Sequence, residues 1–501
     1  MAKEKQSPTR EQQSTTSKNK NLTPCVSSTP SLFSFFNLKN SQLGMSVSSS
    51  FTVTVAEESV ASGKVALSPL DLSTRGRSVP SIWYFKKSLD PFALVSSLKK
   101  TLESYQVLCG QYNVSGKSVD LSNNGVPWSV VEKGGNVMDD VAHCARSDTG
   151  KNRFETSKTE GFFHTSRTVM DPDTAKVEAP VMAIKVTMYK GGGTAIGILI
   201  QHGVCDMEAI FSFVHGWSTV FRGEAIVPNV LNYERYMHFE IDDPLAEPDV
   251  ENLKDLDKFK LVPAGEKNVP EFLPVMGKIL GKEACVVSIN SATVKQWKSA
   301  ISVGLSGGTY ISSDDVITAK IWRSMAKARC VQLNLPLDSD APTTIVRAVN
   351  IRRRMDPPLA LGYFGNAIAQ LSVTVSVVEL FSMSIKDISL HLRQKILEYG
   401  PKQLAARVLW MREQQKMGGK AVTKFDSNAL TFIVSSWCFS NLDWSDANFG
   451  EKPLCFDHAC FVPFVSVITR SPGGDGVNIW TSGTKEAVAT FADSMLSSDA
   501  M

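Results

Sequence analysis

The apolar positions of this chain change period several times, and each change marks an element. FTVTV (51–55) alternates Phe51, Val53 and Val55 with threonines, the period-two pattern of a half-buried strand. VPSIWYFK (79–86) reads as a second strand. In FALVSSLKKTLESYQVL (92–108) the spacing widens, and Leu94, Leu98, Leu102 and Tyr105 share one face of a helix. VMAIKVTMYK (181–190) and TAIGILIQ (194–201) read as a strand pair joined by three glycines, which supply the positive φ of a tight turn. From Asp206 a helix follows, with Ile210, Phe213, Val214, Trp217 and Phe221 on its apolar face. CVVSI (285–289), TFIVSSWC (431–438) and FVSVITR (464–470) are further strand candidates. DDVITAKIWRSMAKARC (314–330) predicts a helix with Ile317, Ile321 and Met325 in line, and EAVATFADSML (486–496) predicts a closing one. QLSVTVSVVEL (370–380) alternates Leu371, Val373, Val375 and Val377 as one half-buried strand. The mixture predicts an α/β or α+β fold without internal repeats.

Composition narrows this. The 501 residues are 43% hydrophobic and 21% charged, the profile of a globular chain with more than one core. A net charge of +3 is too small for a nucleic-acid or acidic-membrane binder. No stretch approaches the apolar length of a spanning helix. Nine cysteines without a CxxC pair read as free thiols in a reducing compartment. The tightest group, Cys455, Asp457, His458 and Cys460, lacks the paired spacing of a zinc site and reads as strand and turn, so no metal is expected. Residues 1–50 hold 17 Ser/Thr, with six basic residues through Val55 against two acidic ones. They predict a disordered leader or a transit-like segment, leaving cytoplasm and plastid both open. The polar stretch 230–275 reads as a crossover linker between a domain at 51–229 and another at 276–501.

The candidate chemistry begins at QHGVCD (201–206). A strand runs into His202 and a helix starts after Asp206, so the imidazole falls at a sheet edge where a cleft forms. Its pKa near 6.5 suits a general base. A structural histidine fits the same spacing, and Asp206 fits a helix cap. Ser312 and Ser313 open a helix, where N–H groups attract phosphate, yet plain N-caps fit equally.

Taken together, HGVCD, HGW and FRG with LSPLDL (67–72), SSLKKTLESYQVLCGQ (96–111), SSDDVITAKIWRSMAKAR (312–329), NIRRRMDPPLALGYFGNAI (350–368), FIVSSW (432–437) and PGGDGVNIWTSG (472–483) closely resemble the BAHD acyltransferases, in that family's order. Gln111 stands where the family has arginine. The family's D-F-G-W-G-K-P loop is reduced here to NFGEKP (448–453), with Asn448 in place of the aspartate and Gly450 kept as structural support.

The resemblance implies two similar chloramphenicol-acetyltransferase-like domains with mixed sheets, flanked by helices and separated by a channel. It implies transfer of an acyl group from acyl-CoA, as co-substrate and not as a resident cofactor, to a small alcohol or amine by a monomer. His202 would be the base and Asp206 its loop's anchor on Arg352, with Gly203 allowing close approach. Ser435 would donate to the oxyanion, or be an ordinary strand serine. Ser312, Ser313, Gly365 and Asn366 would line the coenzyme side; for the last two a tight turn is the plainer alternative. Arg353 would face solvent. Condensation domains carry HHxxxD, but residue 201 is Gln; chloramphenicol-acetyltransferase-like enzymes carry HxxxD near the C-terminus. The remaining alternative is a non-catalytic relative that binds a small molecule or partner.

Overall fold

The computed structural model describes residues 45–75, 77–113, 116–141, 149–164, 180–226, 259–263, 283–305, 309–360, 362–416, 419–423, 430–459 and 461–497. The first half of the chain supplies β1 (Met45–Val53), β2 (Ser78–Phe85), β3 (Val126–Lys133), β4 (Gly150–Glu155), β5 (Met182–Tyr189) and β6 (Thr194–Gln201). The second supplies β7 (Glu283–Asn290), β8 (Pro342–Asn350), β9 (Ile368–Ser376), β10 (Leu430–Ser436), β11 (Cys455–Asp457), β12 (Val465–Arg470) and β13 (Gly476–Gly483). Six helices carry the argument: α1 (Pro69–Thr74), α2 (Pro91–Leu102), α3 (Met207–Phe221), α4 (Ser313–Leu333), α5 (Ile385–Glu398) and α6 (Lys485–Leu496).

These thirteen strands form two mixed sheets. One runs β1-β3-β5-β6-β2-β11, with β3 and β5 parallel. The other runs β9-β8-β10-β12-β13-β7-β4, with β8, β10 and β12 parallel to their neighbours in that group. Each sheet takes an edge strand from the other half of the chain: β4 pairs with β7, and β11 pairs with β2. The expected split at 229 and 276 therefore does not separate the two sheets.

The two cores follow the periods read from sequence. Leu94, Leu98 and Leu102 are fully buried beside Phe213 and Trp217, where α2 packs on α3. The second core joins Ile317, Ile321 and Met325 of α4 to Val488, Phe491 and Met495 of α6. A smaller cluster of Leu70, Ile351, Met355, Leu359 and Tyr363 supports the loop after β8.

Three boundaries differ from expectation. β1 starts at Met45, inside the segment expected as leader; residues 1–44 lie outside the described residues. Residues 259–263, inside the expected linker, form a strand paired with 419–423, and the rest of 230–275 lies outside the described residues. The expected strand 370–380 ends at Ser376, whose hydroxyl accepts from Glu379 N at 3.2 Å and opens the helix Val377–Ser382. The alternation carries past that cap because Val377 and Leu380 also face the core.

Candidate active site

His202 sits directly after β6, in the turn before α3. Its backbone is held from three sides. His202 N donates to Arg77 O at 2.8 Å. Its carbonyl accepts from Thr74 Oγ1 at 3.0 Å and from Asn366 Nδ2 at 2.6 Å. Gly203 is required by packing: a Cβ there would lie 2.8 Å from the Tyr112 hydroxyl and 3.0 Å from Arg75 Cα.

The ring is half-buried. Nδ1 is the enclosed nitrogen, and the backbone of His202 itself and of Cys205 lies beside the ring. Burial lowers the His202 pKa below its ordinary value, and the charge of Arg77 adds to that. The Asp206 carboxylate and the neighbouring backbone act the other way and are outweighed. The imidazole is thus mainly neutral at neutral pH.

Asp206 is the N-cap of α3 and does not bond the imidazole. Oδ1 accepts from Ala209 N at 3.1 Å and from Arg352 Nη2 at 2.8 Å. Oδ2 accepts from Arg352 Nη1 at 2.7 Å and from Ala367 N at 2.9 Å. Burial alone would raise the Asp206 pKa; Arg352 and the two N–H groups reverse this and hold it below the usual carboxylate range. Arg352 also donates to Gly365 O at 3.0 Å and lies 3.4 Å from Glu208. This two-pronged pair joins the loop of His202 to the loop after β8. Arg353 is exposed, as expected.

Asn366 makes the second joint. Its backbone N and its Nδ2 donate to Asp71 Oδ1 at 2.9 and 2.8 Å, while the same Nδ2 reaches the His202 carbonyl. Asp71 Oδ2 closes a capping box on Ser68 at the start of α1, at 2.9 Å from N and 2.8 Å from Oγ. One fully buried carboxylate therefore ties α1, the 366 loop and the His202 turn together. Sequence reasoning left Asp71 without a role; the signal was the S-x-x-D spacing of Ser68 and Asp71, a capping-box pattern. Asn366→Ala is expected to lower kcat several-fold with little change in KM, because the His202 carbonyl loses its clamp. It also removes one of the two donors residue 366 gives Asp71 Oδ1, the backbone N–H remaining, at about 1 kcal/mol of stability, read from the urea midpoint.

The remaining expected residues divide. Ser435 lies on β10, and its Oγ accepts from Trp437 Nε1 at 2.9 Å, which keeps its own O–H proton available. Ser312 caps α4: its hydroxyl donates to Asp315 Oδ2 at 2.7 Å and accepts from Asp315 N at 3.2 Å. Ser313 is half-buried in the first turn. Asp315 in turn pairs with Arg347 at 2.8 Å and with Arg393 Nε at 2.9 Å. A Cβ at Gly365 would lie 2.9 Å from the Tyr363 hydroxyl, so packing against Tyr363 favours glycine there. Gly450 takes a φ of 84°.

The altered 448–453 loop is firmly seated. Phe449 is fully buried, edge-on to Phe85 and Trp217 at 5.5 and 5.0 Å. Arg222 Nη1 donates to Asn448 O at 2.6 Å, and the Glu451 carboxylate accepts from Lys87 N. Among the described residues no three His, Cys, Asp or Glu side chains gather as a metal site, and no helix is long and apolar enough to cross a membrane. Cys460 lies outside the described residues.

The chain is 24% identical over 414 residues to vinorine synthase of Rauvolfia serpentina, covering 81% of this chain and 83% of that one. The crystal structure of vinorine synthase superposes with a TM-score of 0.64 at 19% identity, over 90% of this chain and 98% of the other. F. graminearum TRI101 complexed with coenzyme A and deoxynivalenol gives 0.65 at 17% identity, over 85% and 96%. At these identities the structures establish the fold. A hydroxycinnamoyl-CoA:5-hydroxyanthranilate N-hydroxycinnamoyltransferase of Avena sativa matches a shorter stretch, 27% identical over 191 residues, spanning 38% of this chain and 39% of that relative. The family model described as "Transferase family" matches residues 45–497, so the chain belongs to that family, the BAHD acyltransferases, which draw acyl groups from coenzyme A thioesters.

Proposed function

We propose that the protein moves an acyl group from an acyl-CoA directly to a hydroxyl or amine of a small acceptor, without a covalent enzyme intermediate. The observation that carries this is His202: a half-buried imidazole whose pKa burial lowers, on a turn whose backbone is clamped by Arg77, Thr74 and Asn366. Nε2 takes the acceptor proton as the oxygen or nitrogen attacks the thioester carbonyl. The tetrahedral intermediate collapses, and the imidazolium returns the proton to the departing thiolate. Ser435, with its acceptor side occupied by Trp437, donates its O–H to the oxyanion. Asp206 and Arg352 position His202 and take no proton. Coenzyme A and acceptor reach the histidine from opposite ends of a channel between the two sheets. All four residues lie on one chain, so a monomer suffices. Cytoplasm is the proposed compartment, with the plastid as the alternative if the leader is a transit peptide.

The test is thiol release from a panel of acyl-CoAs, each offered with alcohol and amine acceptors. Acceptor-dependent release from at least one donor is expected; coenzyme A binding without turnover would leave a non-catalytic relative as the reading. The pH profile supplies a second check. The base works deprotonated, so kcat/KM rises with pH and then levels. Because burial and Arg77 hold the His202 pKa below its ordinary value, the midpoint of the rise lies below about pH 6.5. A midpoint above neutrality would remove His202 from this role.

A further inference from the structure

Outside the His202 turn, exposed aromatic surface and surplus positive charge meet at one place, on the second half of α5. Tyr310 is 56% exposed. The Arg393 guanidinium lies over one face of its ring at 4.4 Å and donates to its hydroxyl at 3.1 Å. The exposure therefore belongs to the other face and the edge, and a ring fixed in this way stacks a planar ligand with little further ordering. Leu397, one turn on from Arg393, is 60% exposed and adds an apolar neighbour on the same helix face.

Arg354 supplies the charge. Its Nη1 donates to Ile396 O at 3.4 Å, so its side chain lies along α5 within a turn of Arg393, half-buried and not enclosed. Arg393 and Arg347 are both bound to Asp315, through Nε at 2.9 Å and Nη1 at 2.8 Å, and Arg347 also meets Asp314. Glu398, the last acid of α5, is 3.6 Å from Lys395. Among the described residues no carboxylate lies within ion-pair distance of Arg354. Burial lowers the Arg354 pKa, and the charges of Arg393 and Arg347 lower it further against the opposing pull of Tyr310. Three guanidinium groups thus stand with two carboxylates, and an anion here relieves the excess.

We propose that this patch takes the adenosine end of the coenzyme, with adenine stacked on Tyr310 and the ribose 3′-phosphate on Arg354. The assignment rests on the acyl-CoA reading above and gives the position of the purine end. Arg354 follows Arg352 by two residues, so the loop that anchors the His202 turn also carries the phosphate contact.

The test is calorimetric titration of the full chain with coenzyme A, with dephospho-coenzyme A, which lacks the 3′-phosphate, and with adenosine 3′,5′-bisphosphate, which lacks the pantetheine arm. The wild type is expected to bind coenzyme A about tenfold more tightly than the dephospho form. Arg354→Gln abolishes that difference by weakening coenzyme A alone. Tyr310→Ala weakens all three ligands by about fivefold or more, and Tyr310→Phe, which keeps the ring, does not. Melting temperatures of the free variants stay near wild type. Equal affinity of the wild type for coenzyme A and its dephospho form, or wild-type affinity for coenzyme A in Arg354→Gln or Tyr310→Ala, overturns this assignment and leaves acyl transfer standing. Bisphosphate binding that both variants weaken, without thiol release from any acyl-CoA, upholds the patch and overturns the acyl-transfer reading instead. A wild type that binds none of the three overturns both.

Discussion

Replacing His202 by alanine is expected to lower kcat/KM for acyl transfer by about 10²- to 10⁴-fold, the range that a positioned acid–base group supplies. The geometry argues for a loss in turnover and not in folding. The clamp on residue 202 is made through its backbone N and carbonyl, which alanine keeps. Binding of coenzyme A and the melting temperature should therefore stay close to wild type while thiol release collapses. A loss below tenfold, or a loss matched by weaker coenzyme A binding, would mean that the proton leaves by another route.

The second large effect is on stability. Asp206→Asn leaves the Arg352 guanidinium buried without its two-pronged partner, and breaking a buried ion pair from one side costs about 3–5 kcal/mol. Asp206 is 1% exposed and Arg352 13%, so solvent relieves little of this. Glu208, 3.4 Å from Arg352 and 31% exposed, recovers part of it. The urea midpoint of Asp206→Asn should fall accordingly, and activity should fall with it because the His202 turn loses its anchor. Arg352→Met should give a similar loss, and the double variant less than the sum of the two, since each change removes the same pair. Additive effects would show that the two side chains act separately.

The helices and strands were largely legible because each buries one face, and burial imposes a period: Leu94, Leu98 and Leu102 on α2 are plain examples. The pair of β5 and β6 was legible for a local reason, a glycine turn with φ of 100° and 108° at Gly192 and Gly193. Partnership at long range was not legible. Nothing in GKNRFE (150–155) tells that it pairs with β7 instead of a strand of its own half, because an edge strand is chosen by backbone register. At the site, His202, Asp206 and Arg352 stood out through the ordered motifs. The use of Asn366 as a bridge from Asp71 to the His202 carbonyl did not, since a side chain that serves two distant loops leaves no periodic trace.

The exchange of edge strands makes the two halves of the chain mutually incomplete. Without β11, β2 would present a row of unpaired N–H and C=O groups along a fully buried strand; without β4, β7 would do the same. A chain nicked between residues 226 and 283 is then a non-covalent heterodimer, held by two reciprocal strand pairings and the Asp206–Arg352 clamp. Each fragment carries part of the proposed reacting centre, His202 in one and Ser435 in the other, so on that proposal catalytic competence depends on reassembly and makes a concentration-dependent reporter of it.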